Sequence, residues 1–171
     1  MTATEAVSRS KMHLSRLEVS FRERATKWYE AMTAKKIPLL IYCSIRTPEE
    51  QEALYAQGRT LPGPKITNAR GTPPQSLHLF GKAFDWVPLA RTNSGFSCAW
   101  DDNVSYGIGQ NMGEIYSLRH LIWEQPHMEC GLVSGWRELA YGDKAEGLPQ
   151  IDKPAKKSFV KKFFVKNSKN A

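Results

Sequence analysis

Ser76-Leu77-His78-Leu79-Phe80-Gly81-Lys82-Ala83-Phe84-Asp85 is the stretch on which the reading of this 171-residue chain turns. Side chains alternate along a strand with period two, so His78 and Asp85, an odd number of positions apart, would face opposite sides of one straight strand. Gly81 supplies the necessary turn, because a residue without Cβ tolerates backbone angles that others avoid. Beyond it, residues 82–87 read as a short strand with Ala83, Asp85 and Val87 on one face. His78, on the preceding loop, then swings over the face that carries Asp85.

An imidazole above a carboxylate, with small Ala83 leaving room beneath, is half of a zinc site. The chain holds four histidines, and His127 is the best candidate for the other half. Pro126 cannot donate a backbone hydrogen bond and pushes Gln125 towards extended geometry, so residues 124–127 read as a strand end turning into a loop. That brings Glu124 near His127. Two imidazoles and one carboxylate suit zinc and leave its fourth position open to water, the arrangement of a catalytic site, with Glu124 as the spare acid. His120 is a weaker alternative ligand, set well back along the same strand. Cys130 is a further candidate, against the tendency of free cysteine to behave as a small buried hydrophobe. Glu129 has two readings: a fourth protein ligand, which would make the site structural, or a group that supports a ligand or orients substrate.

These residues resemble a family of zinc peptidases that includes D-alanyl-D-alanine carboxypeptidases, D-Ala-D-Ala dipeptidases and the L-alanyl-D-glutamate endopeptidases of phage lysins. The likeness runs through Ser76-x-His78-x-x-Gly81-x-Ala83-x-Asp85 and Glu124-x-x-His127, and takes in Ser44, Arg46, Gln51 and the run Leu54-Tyr55-Ala56-Gln57-Gly58-Arg59-Thr60, which is closest to the phage endolysin branch. Family members often carry Asp where Glu124 stands, and the lysins have a longer Gly-rich piece before the final histidine. The resemblance implies a hedgehog/DD-peptidase-like zinc peptidase fold and one Zn2+ held by His78, Asp85 and His127. It implies a peptidoglycan hydrolase that cuts the L-Ala–D-Glu bond of the stem peptide, with Glu124 as general base and Arg46 on the substrate carbonyl. Two alternatives stand beside it: a D-Ala-D-Ala carboxypeptidase or dipeptidase, and a non-catalytic zinc-stabilised module that binds cell wall.

The composition is compatible with this. The length suits one domain, and 41% hydrophobic residues suffice for a core. No stretch approaches a membrane span. The first ten residues lack the apolar core of a secretory signal, so the chain is expected to be made and kept in a cytosol and to act on the wall after release. Three cysteines without a Cys-x-x-Cys pair argue against a disulfide framework. Seven lysines against Asp152 alone give residues 151–171 six of the chain's seven net positive charges. Residues 1–150 are therefore a nearly neutral catalytic domain, expected to be monomeric and not a nucleic-acid binder. The basic tail, residues 151–171, has Phe159, Val160, Phe163 and Phe164 on one helical face. That face either touches anionic envelope lipid or docks on the domain.

Taken in order, residues 11–35 read as one amphipathic helix with Leu14, Leu17, Phe21, Ala25, Trp28 and Met32 inward, and with His13 as a surface or capping residue. Residues 38–44 read as a buried strand, with Cys43 in the core. Thr47, Pro48 and Glu50 spell a helix start with a capping box. Arg46, at that junction, either reaches into the site or pairs with Glu49 or Glu50. Gln51 is a candidate substrate-side or supporting residue. Residues 59–75 form a long loop leading to Ser76, which either hydrogen-bonds a ligand or is a plain turn residue. Residues 91–102 read as irregular, with Trp100 as an anchor. Residues 105–118 read as a helix with Ile108, Met112, Ile115 and Tyr116 on one face, residues 120–124 as the strand that delivers the acid, and Trp136 and Leu139 as a short final helix. The architecture expected is α+β, a small, mainly antiparallel sheet flanked by helices.

Overall fold

The computed structural model describes residues 1–142. The basic tail lies outside these, as do the two readings of it. Two helices open the chain, α1 (Ala3–Ser15) and α2 (Val19–Ala34), followed by β1 (Leu39–Cys43) and α3 (Pro48–Ala56). A long loop leads to a single 3-10 turn, Leu77–Phe80, and then to β2 (Ala83–Thr92) and β3 (Gly95–Cys98). The chain continues through α4 (Asn103–Ile115), β4 (Leu118–Leu121), β5 (Glu124–Cys130) and α5 (Trp136–Tyr141). The strands form one antiparallel sheet in the order β1-β2-β5-β4, with β3 pairing the far end of β2. This is the α+β architecture expected. No helix among the described residues is long and apolar enough to cross a membrane.

β2 is the axis of the sheet, and its alternation separates core from site. Phe84 and Trp86 point to one side and are fully buried against Phe21, Trp28 and Met32 of α2. Trp28 meets the Trp86 ring edge-on at 5.1 Å between centroids, and its indole N–H donates to the Gly109 carbonyl at 2.8 Å, tying α2 to α4. Ala83 and Asp85 point to the other side. Along the outer edge of β1, the Ser10 hydroxyl accepts the Ile41 amide at 3.0 Å, so α1 occupies an edge that would otherwise be open to another strand.

Four elements differ from the sequence reading. The expected helix over residues 11–35 is two helices, broken at residues 16–18, because Glu18 acts as a cap: its carboxylate accepts the Ser20 and Phe21 amides, each at 3.1 Å. Residues 91–102 are not irregular at their start, since β2 runs on to Thr92 and turns back through Gly95 into β3. Trp100 does act as an anchor, meeting Tyr42 edge-on at 5.6 Å. In α4 the buried face is Tyr106, Gly109 and Gly113; Ile108, Met112 and Tyr116 pack against the core as expected, but Ile115 is 72% exposed. Finally, Glu124 does not end a strand begun at His120. The chain turns at residues 122–123, and Glu124 opens β5, which pairs back on β4.

The glycine face of α4 explains how closely it packs. A Cβ at Gly109 would stand 2.4 Å from the Trp86 ring, whereas one at Gly107 would meet nothing within 4 Å. Gly109→Ala should therefore lower stability by about 1–3 kcal/mol through overpacking. Gly107→Ala should raise it by up to about 1 kcal/mol, since alanine is the better helix former. Chemical denaturation of both variants checks this contrast, which equal shifts in midpoint would contradict.

Glu18 also accepts from Lys82 Nζ at 2.8 Å and, through its amide, bonds the Gly81 carbonyl at 3.0 Å, so the break between α1 and α2 is stapled to the turn between His78 and Asp85. The Lys82 hydrogen bond, followed by those from Ser20, lowers the Glu18 pKa from 4.5 to about 2. A carboxyl depressed in the folded state stabilises it fully above its unfolded value and loses that contribution as pH falls through the folded one. The midpoint difference between wild type and Glu18→Gln should thus be largest near neutral pH and shrink between pH 4.5 and about 2. A difference independent of pH would remove the ion pair from the account.

Candidate metal centre

The left-handed residue Gly81, at φ 62°, closes the 3-10 turn and reverses the chain so that His78 lies over the start of β2. Two contacts clip His78 to the end of β1: its ring Nδ1 bonds the Ser44 carbonyl, and its own carbonyl accepts the Arg46 amide at 3.2 Å. From the other side, β5 pairs with β2 so that His127 stands opposite Asp85. Cross-strand partners share a face, so both side chains project to the same side as His78. All three are buried.

Their facing atoms form a nearly equilateral triangle. His78 Nε2 lies 3.3 Å from His127 Nδ1 and 3.3 Å from Asp85 Oδ1, and the last two are 3.2 Å apart. Donors held at ~2.0–2.1 Å around a tetrahedral ion stand about 3.3–3.4 Å from one another, so the triangle has the size that zinc requires. Each donor is also fixed from behind. With His78 Nδ1–H donated to Ser44, its Nε2 is left with a lone pair. The outer oxygen of Asp85, Oδ2, accepts from Arg46 at 2.6 Å. His127 Nε2 donates to Glu129 Oε2 at 3.0 Å, and Arg119 holds Glu129 Oε1 at 2.6 Å. These hydrogen bonds assign the tautomers that turn three lone pairs inward on one point, an arrangement that repels itself unless a cation or a proton sits there. The donors therefore fit a zinc ion.

The titration of the protein reflects the same crowding. Burial lowers the His78 pKa, with Asp85 opposing it in part. Burial likewise disfavours a charged His127, but hydrogen bonds to Asp85 and Glu129 outweigh it and raise that ring to about 10. Asp85 is penalised by burial and yet held well below the usual carboxylate range by His78, His127 and Arg46.

Glu124 joins this centre from the His127 side, with donor atoms of Asp85, Glu124 and His127 all within 4.8 Å of one another. Three positions apart on a regular strand, Glu124 and His127 would point to opposite faces. Here the β4–β5 register shifts between His120 and Leu121, whose partners are Met128 and Glu124, leaving residues 125–127 as a bulge around Pro126. Glu124 is exposed as a residue, but its carboxyl end is crowded enough that desolvation raises its pKa, with Asp85 adding to the rise and His127 opposing it.

Arg46 pairs with neither Glu49 nor Glu50. It spans the back of the site, with Nη2 on Asp85, Nη1 on Gln51 Oε1 at 3.3 Å and Nε on Cys43 Sγ at 3.2 Å. Gln51 is fully buried and donates to the Ala69 carbonyl at 2.9 Å, which joins Arg46 to the long loop. The Ser76 hydroxyl accepts the His78 amide at 3.3 Å, so it caps the 3-10 turn and touches the backbone of His78, not its ring. His120 belongs to neither group of potential metal donors, and Cys130 is packed in the core. His13, near the end of α1, meets the Ser44 hydroxyl at 3.2 Å.

Two residues near the donors, Arg119 and Cys43, were not singled out for the site by sequence, and Ser44 entered only as part of the run that carries the resemblance. Ser44 acts through its backbone carbonyl and Arg119 through Glu129. Cys43, expected in the core, is half-buried and forms a second potential metal group with His78 and Asp85.

The fold and donors thus define a candidate mononuclear centre of two imidazoles and one carboxylate, with an acid beside it. No family model matches the chain. Among solved structures it is similar to the Serratia marcescens L-Ala D-Glu endopeptidase ChiX, at 17% identity over 71% of this chain and 86% of that one, with a TM-score of 0.48.

Removing the carboxylate that holds the far side of His127, in Glu129→Ala, should weaken zinc binding about 10–100-fold, the usual cost of losing such a partner. His78→Ala should abolish it. Competition against a chromophoric chelator reads both affinities, and undiminished binding by Glu129→Ala would take that carboxylate out of the centre.

Proposed function

We propose that this chain is a zinc-dependent peptidoglycan hydrolase of the endolysin type, cutting the L-Ala–D-Glu bond of the stem peptide. The observation that carries the reading is the triangle of His78, Asp85 and His127 with Glu124 beside it. The choice of substrate rests on the motif resemblance through Ser76, His78, Gly81, Ala83, Asp85, Glu124 and His127.

Zinc, when bound, supplies the positive charge that lowers the pKa of a water from about 16 to about 7 and polarises a carbonyl. His78, Asp85 and His127 hold it, and their outer partners keep them aimed. Glu124 takes the proton of the attacking water and delivers it to the leaving amine. Burial of its carboxyl raises its pKa in the ion-free protein, the direction that brings a general base nearer the working pH. Arg46, fixed by Cys43, Gln51 and Asp85, binds the carbonyl of the bond being cut, the role the motif resemblance implies. The partner is the cell wall, and the enzyme acts as a monomer.

Glu124→Gln should keep its zinc and its fold while losing about 10²–10⁴ in turnover, the usual worth of a positioned general base. Digestion of purified sacculi, with the new termini identified by mass spectrometry, tests bond and mechanism together. New L-Ala carboxyl and D-Glu amino ends support the reading. Release of D-Ala alone would make this a carboxypeptidase, and zinc-loaded protein that binds sacculi without releasing peptides would be a wall-binding module.

A further inference from the structure

Cys43 reaches the centre through a break in β1. Alternation would send it to the core side with Leu39 and Ile41, and both of those do lie in the core cluster around Trp86. The β1–β2 register shifts between Ile41 and Cys43, however, so that Cys43 pairs with Asp85. A one-residue slip turns a side chain to the other face, and cross-strand partners share a face. Cys43, Asp85 and His127 therefore form a row across β1, β2 and β5, with a possible donor on either side of the central carboxylate. The sulfur, His78 and Asp85 offer ligand atoms within 4.8 Å of one another, and Arg46 Nε donates to the sulfur at 3.2 Å, holding it in place.

We propose that Cys43, His78 and Asp85 form a second seat for a thiophilic divalent cation such as Cd2+, overlapping the first and exchanging His127 for sulfur. It rests on the reading of His78 and Asp85 as metal donors. Thiolate is the donor that soft metals prefer, while the imidazole and carboxylate are common to both seats. As the metal–sulfur bond forms, the thiol proton passes to solvent and Arg46 faces the resulting thiolate. Cys43 lies on β1 and Glu124 on β5, on opposite sides of Asp85, so an ion that exchanges His127 for sulfur moves away from the strand that carries the general base. Soft metals then bind without supporting hydrolysis, and they compete with zinc for two shared donors.

Titration of metal-free protein with Cd2+ should develop a short-wavelength ultraviolet sulfur-to-metal charge-transfer band, read as a difference spectrum, that Cys43→Ser lacks and folded His127→Ala keeps. Cys43→Ser should also weaken Cd2+ binding at least about tenfold, the low end of what losing even a supporting partner costs a metal site. Wild-type protein that binds Cd2+ without the band overturns the sulfur seat and leaves the zinc centre standing. A band that survives in Cys43→Ser, through Cys98 or Cys130, does the same, as does its loss from folded His127→Ala. The comparison of wild type with Cys43→Ser decides the question by itself if His127→Ala does not fold. Protein that binds neither Cd2+ nor Zn2+ overturns both seats.

Discussion

Asp85 is a carboxylate at 4% exposure near the start of the central strand, and the surrounding structure answers to that one buried charge. A carboxylate out of water costs several kcal/mol unless it is paired and hydrogen-bonded. Here one oxygen is met by Arg46 and the other by both imidazoles. Each partner arrives by a different structural device. Arg46 comes from the β1–α3 junction, His78 from the Gly81 turn, and His127 by direct pairing of β5 with β2. The long loop between α3 and the 3-10 turn is tied in through Gln51, so even the least regular part of the domain connects to the same charge.

What the sequence made legible is what depends on local chemistry. Thr47, Pro48 and Glu50 form the expected helix start with its reciprocal capping box, because a cap is decided within four residues. Gly81 is left-handed as its place between His78 and Asp85 requires, and Ala83 and Asp85 share a face because strand alternation is strict. Polar residues with ligand chemistry stand out against an apolar strand, so the residues that converge in space were also conspicuous in the chain.

The remainder was hidden for identifiable reasons. Leu17 continues the apolar spacing from Leu14 to Phe21 and is buried, so the break between α1 and α2 leaves no gap in the pattern; only the capping role of Glu18 marks it. The β4–β5 hairpin turns at Ile122 and Trp123, without the Gly, Asn or Asp that advertises a tight turn. In α4 Ile115 misled and the glycines were passed over, because the closest packing of the helix runs through Gly109 and Gly113, whose value lies in what they omit. Cys43 and Glu124 both reach the centre through register shifts, and a shift is a property of two strands that neither displays alone.

That last point bears on how the centre is held. A regular antiparallel sheet places one residue per strand on a given face at each level, which yields rows but not clusters. The row Cys43, Asp85, His127 is of this kind, and it arises only because β1 slips by one residue beside Asp85. Glu124 enters from outside the row through the bulge at Pro126, and His78 from above through the Gly81 turn. On the opposite face of the same strands, Phe84, Trp86 and Met128 are fully buried against α2 and α4. Core and site are thus the two sides of one backbone, and a displacement of Trp86 or Met128 is passed to Asp85 and His127 one residue away. Metal donors must be kept within about 0.5 Å of their working positions. The close approach of α4 through Gly109 and Gly113, which meets Trp86 and Met128, therefore bears on the placing of Asp85 and His127 as well as on the core.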